Sequence, residues 1–165
     1  MGHHTPRRAC SKKPCATVGS ARKATSTMGQ RFERYCAQLY RDAGYRGVRH
    51  NVLYTIDKMK VQIDLVYRVR LHERFAECKY RTSDEVGLDE VAKFASQLSL
   101  LSVPGKRAEM LTNSTYTLRA AAYAQQQGIL LYDLEDLTRM EASRASLLTR
   151  LTNRVPDVQR LIRRA

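Results

Sequence analysis

The chain has 165 residues, 43% of them hydrophobic, and 29 Lys and Arg against 16 Asp and Glu, a formal charge of +13. That length suits one domain with a real core plus tails, and no apolar run approaches the roughly 18 residues of a membrane span. The charge points to a polyanionic partner, nucleic acid ahead of an anionic membrane surface, with a merely basic surface as the bland alternative.

Residues 1–28 hold Arg, Lys, Ser, Thr, Pro and Gly, lack Leu, Ile and Phe, and precede the first acidic residue, Glu33. This composition is that of a disordered basic arm or a cleavable targeting peptide. Arg-rich, Ser-rich and acid-free describes a mitochondrial presequence, although no amphipathic face is visible; a nucleic-acid-binding arm is the competing reading. Cys10 and Cys15, with His3 and His4 upstream, do not have the usual spacing of a zinc site. No secretory leader pattern supports a disulfide framework, so Cys36 and Cys78, set among apolar positions, read as buried free thiols.

A helix is expected from near Gly29, because Phe32, Cys36, Leu39, Tyr40 and Ala43 recur at spacings of three and four; "AGYRG" ends it at Gly44. Strands follow at 48–55, 61–69 and 73–80, the first two joined by a turn at "DKMK". Val91, Phe94, Ala95, Leu98 and Leu101 make a second helical face with acidic residues near its start, and "VPGK" breaks it. A short strand at 108–112 leads through "NSTYT" to an Ala-rich helix at 118–127, closed by Gly128. "ILLYD" at 129–133 reads as a buried parallel strand. "LEDLTRM" begins a last helix, followed by an Arg-rich tail broken at Pro156. The order α-β-β-β-α-β-α-β-α predicts a mixed sheet in an α/β sandwich, a meander continued by crossover units.

Charge interrupts two of these strands. Residues two apart on a strand share a face, so Glu77 and Lys79 point one way and Cys78 the other. If the strands at 61–69 and 73–80 pair, Asp64 comes beside Glu77. Two carboxylates at close range raise each other's pKa values, and a divalent cation removes the conflict. Oxygen ligands suit Mg2+ or Mn2+, and Lys79 is placed to orient a water and stabilise charge on a phosphate. The alternative is structural: Lys79 simply neutralises Glu77 or Asp64. Glu33 has two readings as well, a third carboxylate at the sheet or a partner of the helix dipole.

"GQRFE" at 29–33, "QIDLV" at 62–66, "AECKYR" at 76–81, "VGLDEVAKF" at 86–94 and "TNSTYTLRAAAYAQQQGILLYDLEDL" at 112–137 resemble, in order and spacing, the Mrr-like branch of the PD-(D/E)XK nucleases. That branch includes type IV restriction endonucleases and relatives close to archaeal Holliday-junction resolvases. The resemblance covers roughly residues 29–138, between the basic arm 1–28 and a helical, Arg-rich tail 139–165. It implies a restriction-endonuclease-like α/β/α sandwich and a metal-dependent endonuclease acting on DNA. By the same resemblance Asp64 and Glu77 bind Mg2+ or Mn2+ together with the backbone carbonyl of Cys78, Lys79 orients the water, and Glu33 supports the site. Bacterial members often carry Gln where Glu77 stands and a Gly-rich approach to the aspartate where this chain has "KVQID". No added recognition domain is expected, which leaves sequence specificity unassigned. A eukaryotic mitochondrial group of this type is also similar, and the basic arm fits it; a nuclear or other DNA-containing compartment is the alternative. A homodimer is implied only by family habit.

Tyr80 and Arg81 follow the catalytic strand and are candidates to contact phosphate or stack on a base. Lys93 is expected on a helix that lines the site in the family. Thr115 and Thr117 read as helix caps first and phosphate contacts second. The arginines of 139–164 either track a nucleic-acid backbone or form a solvated face, with Leu147, Leu148, Leu151 and Leu161 docked elsewhere. A non-catalytic nucleic-acid or ribonucleoprotein-binding module, for instance at a mitochondrial ribosome, is the second reading. Clustered acids facing an anionic ligand argue against it.

Overall fold

The computed structural model describes residues 16–18 and 27–152, with side chains from 27 to 143. The expectations for His3, His4, Cys10 and Cys15, for Leu147, Leu148, Leu151 and Leu161, and for a break at Pro156 lie outside these described residues and side chains. The elements are β1 (Ala16–Val18), α1 (Met28–Asp42), β2 (Arg46–Ile56), β3 (Met59–Val69), β4 (His72–Lys79), α2 (Leu88–Leu100), a 3-10 turn (Gly105–Arg107), β5 (Ala108–Thr112), α3 (Leu118–Gln127), β6 (Leu130–Tyr132) and α4 (Leu134–Thr152). From α1 onward this is the order expected from the periodicities, and α4 runs on without a break through residue 139.

One sheet of six strands carries them in the order β1-β2-β3-β4-β5-β6. Strands β1 to β4 are antiparallel neighbours; β4, β5 and β6 are parallel. Parallel neighbours need crossovers, which α2 and α3 provide. Helices therefore cover both faces. Val91, Phe94 and Leu98 of α2 and Ala120 and Ala124 of α3 pack on Val52, Ile63, Phe75 and Met110. On the other face Phe32, Cys36 and Tyr40 of α1 and Leu137 of α4 cover Leu65, Ala76, Cys78 and Leu111. The expected α/β/α sandwich is the fold.

Two features depart from the sequence reading. Residues 16–18, inside the basic arm, form a short strand on the outer edge of β2. The run 129–133 is not a buried strand: only Leu130–Tyr132 is extended, it pairs on one side with β5, and Leu130 is 46% exposed. An edge position explains both its shortness and its exposure.

The helix starts follow local chemistry. Thr27 caps α1 in a reciprocal capping box with Gln30, its hydroxyl accepting from the Gln30 amide while the Gln30 side chain accepts from the Thr27 amide at 3.2 Å. Thr117 caps α3, and Gly128 ends it with φ 73°. Gly105 has a different constraint. A Cβ there would lie 1.8 Å from the Gln127 carbonyl oxygen. Gly105→Ala is therefore expected to lower stability by about 2 kcal/mol or more, because backbone on backbone has no flexible end to move aside. Thermal or urea unfolding of the variant measures it.

Candidate active site

The β3–β4 ladder runs from Val69↔His72 to Leu65↔Ala76 and stops. Beyond it Glu77, Cys78 and Lys79 remain paired only with β5, opposite Met110, Leu111 and Thr112. On the other side Ile63 and Val61 remain paired only with β2. The two strands thus fork at Asp64 and Glu77, which the register sets across from each other. Next to the fork β2 bends. Asn51, opposite Asp64 between the pairs His50↔Leu65 and Val52↔Ile63, has φ 54°. Asn tolerates that left-handed conformation better than most residues. Ile63 and Leu65 should share a face, yet one packs under α2 and α3 and the other under α1. The kink at Asn51 and Asp64 rotates both strands between the two cores.

Asp64 uses the fork. Its Oδ2 accepts the Cys78 amide at 2.9 Å, in place of a backbone carbonyl. Glu77, buried at 7% exposure, accepts from Lys79 Nζ at 2.7 Å. Burial pushes the Asp64 carboxyl up to about 6, with the Glu33 charge adding to it and the Cys78 amide opposing. Burial and then the Asp64 charge push Glu77 up to about 7 against Lys79 and Lys93. Glu33 is also raised, by burial first and by the Glu77 charge, while a hydrogen bond with the Asn51 side chain opposes. Burial works against the Lys79 ammonium, but the charge and hydrogen bond of Glu77, and then Asp64 and Glu90, hold it above its ordinary value. Glu33, Asp64, Glu77 and Lys79 therefore form one electrostatic cluster. Glu33 is no partner of the helix dipole, because the first turn of α1 holds no acidic residue. Cys78 turns its side chain away, into the α1 layer with Cys36, and both thiols are free and buried.

The remaining expected residues sit around this cluster. Lys93 is exposed on α2 and its charge reaches Glu77. The Tyr80 ring packs 6.2 Å from Phe32 under α1. Arg81 forms an ion pair with Glu90, and its backbone is clamped by Asn113, with both hydrogen bonds at 2.7 Å. Its guanidinium is thus already engaged within the protein. Thr115 is exposed and donates to Glu85 at 3.0 Å; the α3 cap is Thr117, not Thr115. Thr112 donates to the Lys79 carbonyl at 2.8 Å, fixing the end of β4. Asn51 and Glu90 were not anticipated. An Asn interrupting the strand run "RHNVLY" is the available signal for the first; Glu90 is brought to the site only by the fold.

Among the described residues no group of three or more His, Cys, Asp and Glu side chains is arranged to hold a metal ion. Two buried carboxylates nevertheless converge, both raised first by burial, the Asp64 charge adding to Glu77 and the Glu33 charge to Asp64. Such hard oxygen donors suit Mg2+, which takes one or two carboxylates and keeps several waters. The donor chemistry fits a divalent cation.

Residues 24–141 match the restriction endonuclease family Mrr_cat. No curated protein matches the chain. Among solved structures, the protein of unknown function AF1548 is similar at 20% identity and a TM-score of 0.58, over 70% of this chain and 67% of that one. Can2 from Sulfobacillus thermosulfidooxidans, solved in complex with cyclic tetra-adenylate, is similar at 20% identity and 0.52, over 73% of this chain and 35% of its own. VC1899 from Vibrio cholerae has 18% identity and a TM-score of 0.48, over 70% and 32%. This chain spans about a third of the length of the latter two. At these identities the likeness to AF1548 and Can2 concerns the fold.

Proposed function

The chain belongs to the Mrr_cat restriction endonuclease family, and from that premise we propose that it is a Mg2+-dependent nuclease hydrolysing phosphodiester bonds in DNA. The observation that carries this reading is the buried Asp64–Glu77 pair beside Lys79 at the fork of β3 and β4. Buried acids next to a lysine are costly for stability and useful for moving protons and charge.

Asp64 and Glu77 would hold the metal, with the Cys78 carbonyl as a third oxygen. Bound there, Mg2+ supplies Lewis-acid polarisation of the phosphoryl oxygen and lowers the pKa of a water. Lys79 orients the attacking water and offsets the negative charge that develops on the phosphate. Glu77 keeps that ammonium in place through its 2.7 Å bond. Glu33, tied to Asn51, closes the acidic side of the site. Lys93 and the overall +13 charge draw the polyanion toward the fork.

The test is a cleavage panel on linear duplex, branched and single-stranded DNA and on RNA, each with Mg2+ and with EDTA. Metal-dependent cleavage of a DNA substrate is expected. Salt-sensitive binding without cleavage under any metal condition overturns the nuclease reading in favour of a non-catalytic binding module.

A further inference from the structure

A second site lies at the other end of β4. A hollow of about 540 Å3 opens between the β3–β4 hairpin and the turn ahead of β5. Its lining is Val69, Arg70, His72, Arg74, Lys106 and Arg107, four cations and an imidazole with no carboxylate. The inner wall is positioned from behind. The Arg74 guanidinium stands 3.6 Å from the Glu109 carboxylate, which is 2% exposed and accepts the Tyr40 and Tyr67 hydroxyls at 2.5 and 2.8 Å. Among the described residues no carboxylate pairs with Arg70, Lys106 or Arg107. Converging cations around a concave surface repel one another unless an anion sits among them.

The hollow is separate from the fork. Arg74 lies on the face of Ala76 and Cys78, under α1, whereas Glu77 and Lys79 take the opposite face. They are also three and five residues further along β4, roughly 10–17 Å at the rise of a strand. The nuclease reading makes no use of Glu109 or of these cations.

We propose that Arg70, Arg74, Lys106 and Arg107 form a phosphate-binding site, distinct from the fork, that takes the phosphates of a nucleotide or of a nucleic-acid strand. Guanidinium forks match phosphate oxygens in pairs, and Lys adds a point charge. The volume lies within the range of about 300–1,000 Å3 typical of small-ligand sites, large enough for a nucleotide. Arg70 fits this role in a further respect. It occupies a left-handed turn position, φ 54°, where Gly or Asn would be less strained.

Binding of ADP and of a short 5′-phosphorylated oligonucleotide is measured by calorimetry on the full chain in EDTA, so that cleavage is silent. Lys106→Ser/Arg107→Ser is expected to weaken binding by roughly tenfold or more, as loss of two charge-assisted contacts implies. Arg70→Gly should weaken it too while leaving Tm unchanged or higher, which separates loss of the site from loss of the fold. The charge-matched control Lys58→Ser/Lys60→Ser, on a different hairpin, should bind as wild type. Weakened ADP binding identifies a nucleotide pocket, and weakened oligonucleotide binding alone identifies a strand-backbone contact. Wild-type binding of both ligands by the hollow variants, or an equal loss in the control, overturns the proposal.

Discussion

Asp64→Asn lowers Mg2+-dependent cleavage by about 10³-fold or more and leaves the protein folded, because it removes a charge and almost no volume. The amide oxygen can still accept the Cys78 N–H, so the fork keeps its geometry. Stability at neutral pH should rise, since Glu77 loses the neighbouring charge that raises its pKa. Lys79→Met should lose cleavage to a similar degree for a different reason. It takes away the ammonium that faces the water and leaves Glu77 buried without its 2.7 Å partner, so this variant is expected to be somewhat less stable at neutral pH. Single-turnover cleavage beside thermal unfolding separates the two effects. Wild-type cleavage rates in Asp64→Asn, at matched Mg2+, would remove the fork as the active site.

The second large effect is a coupling of pH, stability and metal. Asp64 and Glu77 are pushed up to about 6 and about 7. The folded protein therefore keeps protons that the unfolded chain has released above about pH 4. Stability falls as pH rises through that window and levels off above pH 7. From pH 5 to pH 8 these two carboxyls together cost on the order of 4 kcal/mol. Glu33 is raised as well and adds in the same direction. Mg2+ binds the ionised pair, so at pH 8 it should stabilise the fold by about 2.7 kcal/mol at a hundredfold excess over Kd, seen as a higher Tm, and have little effect at pH 5. EDTA should reverse the gain, and Asp64→Asn should abolish the metal response and reduce the slope to what the burial of Glu77 and Glu33 leaves. Unfolding curves over a pH series with and without Mg2+ give all three readings. A Tm that Mg2+ raises equally at pH 5 and pH 8 would contradict the coupling.

Much of the fold was legible because its signals are local. The stripe from Phe32 to Tyr40 marks α1, the glycines after it and after Gln127 mark helix ends, and Ala108–Thr112 and Leu118–Gln127 appear at their expected bounds. Strand parity sends Glu77 and Lys79 to one face and Cys78 to the other. What stayed hidden depends on distant partners. The burial of Glu109 requires the hydroxyls of Tyr40 and Tyr67, brought from α1 and β3. The ion pair of Arg81 was hidden because its partner Glu90 comes from the next helix. "ILLYD" is apolar enough for a central strand, but its place at the sheet edge is decided by topology. The kink at Asn51 escaped notice because one asparagine does not break a run of β-formers, although it can turn a strand's faces over.

The β3–β4 hairpin also acts as a ruler. Its turn is the pair Arg70 and Leu71, closed by Val69↔His72, and the two arms reach Asp64 and Glu77 at equal distance from that turn. A single residue inserted in one arm would slide the aspartate past the glutamate and reverse the facing of that arm. Within the arms, residues can be gained or lost only in matched pairs, one on each side. The interval between the two acids is thus constrained by symmetry about the turn rather than by chemistry at the acids. A relative that lengthens the arms while keeping the pair opposed must add the same number of residues to each, and any odd change in the interval must fall in the turn.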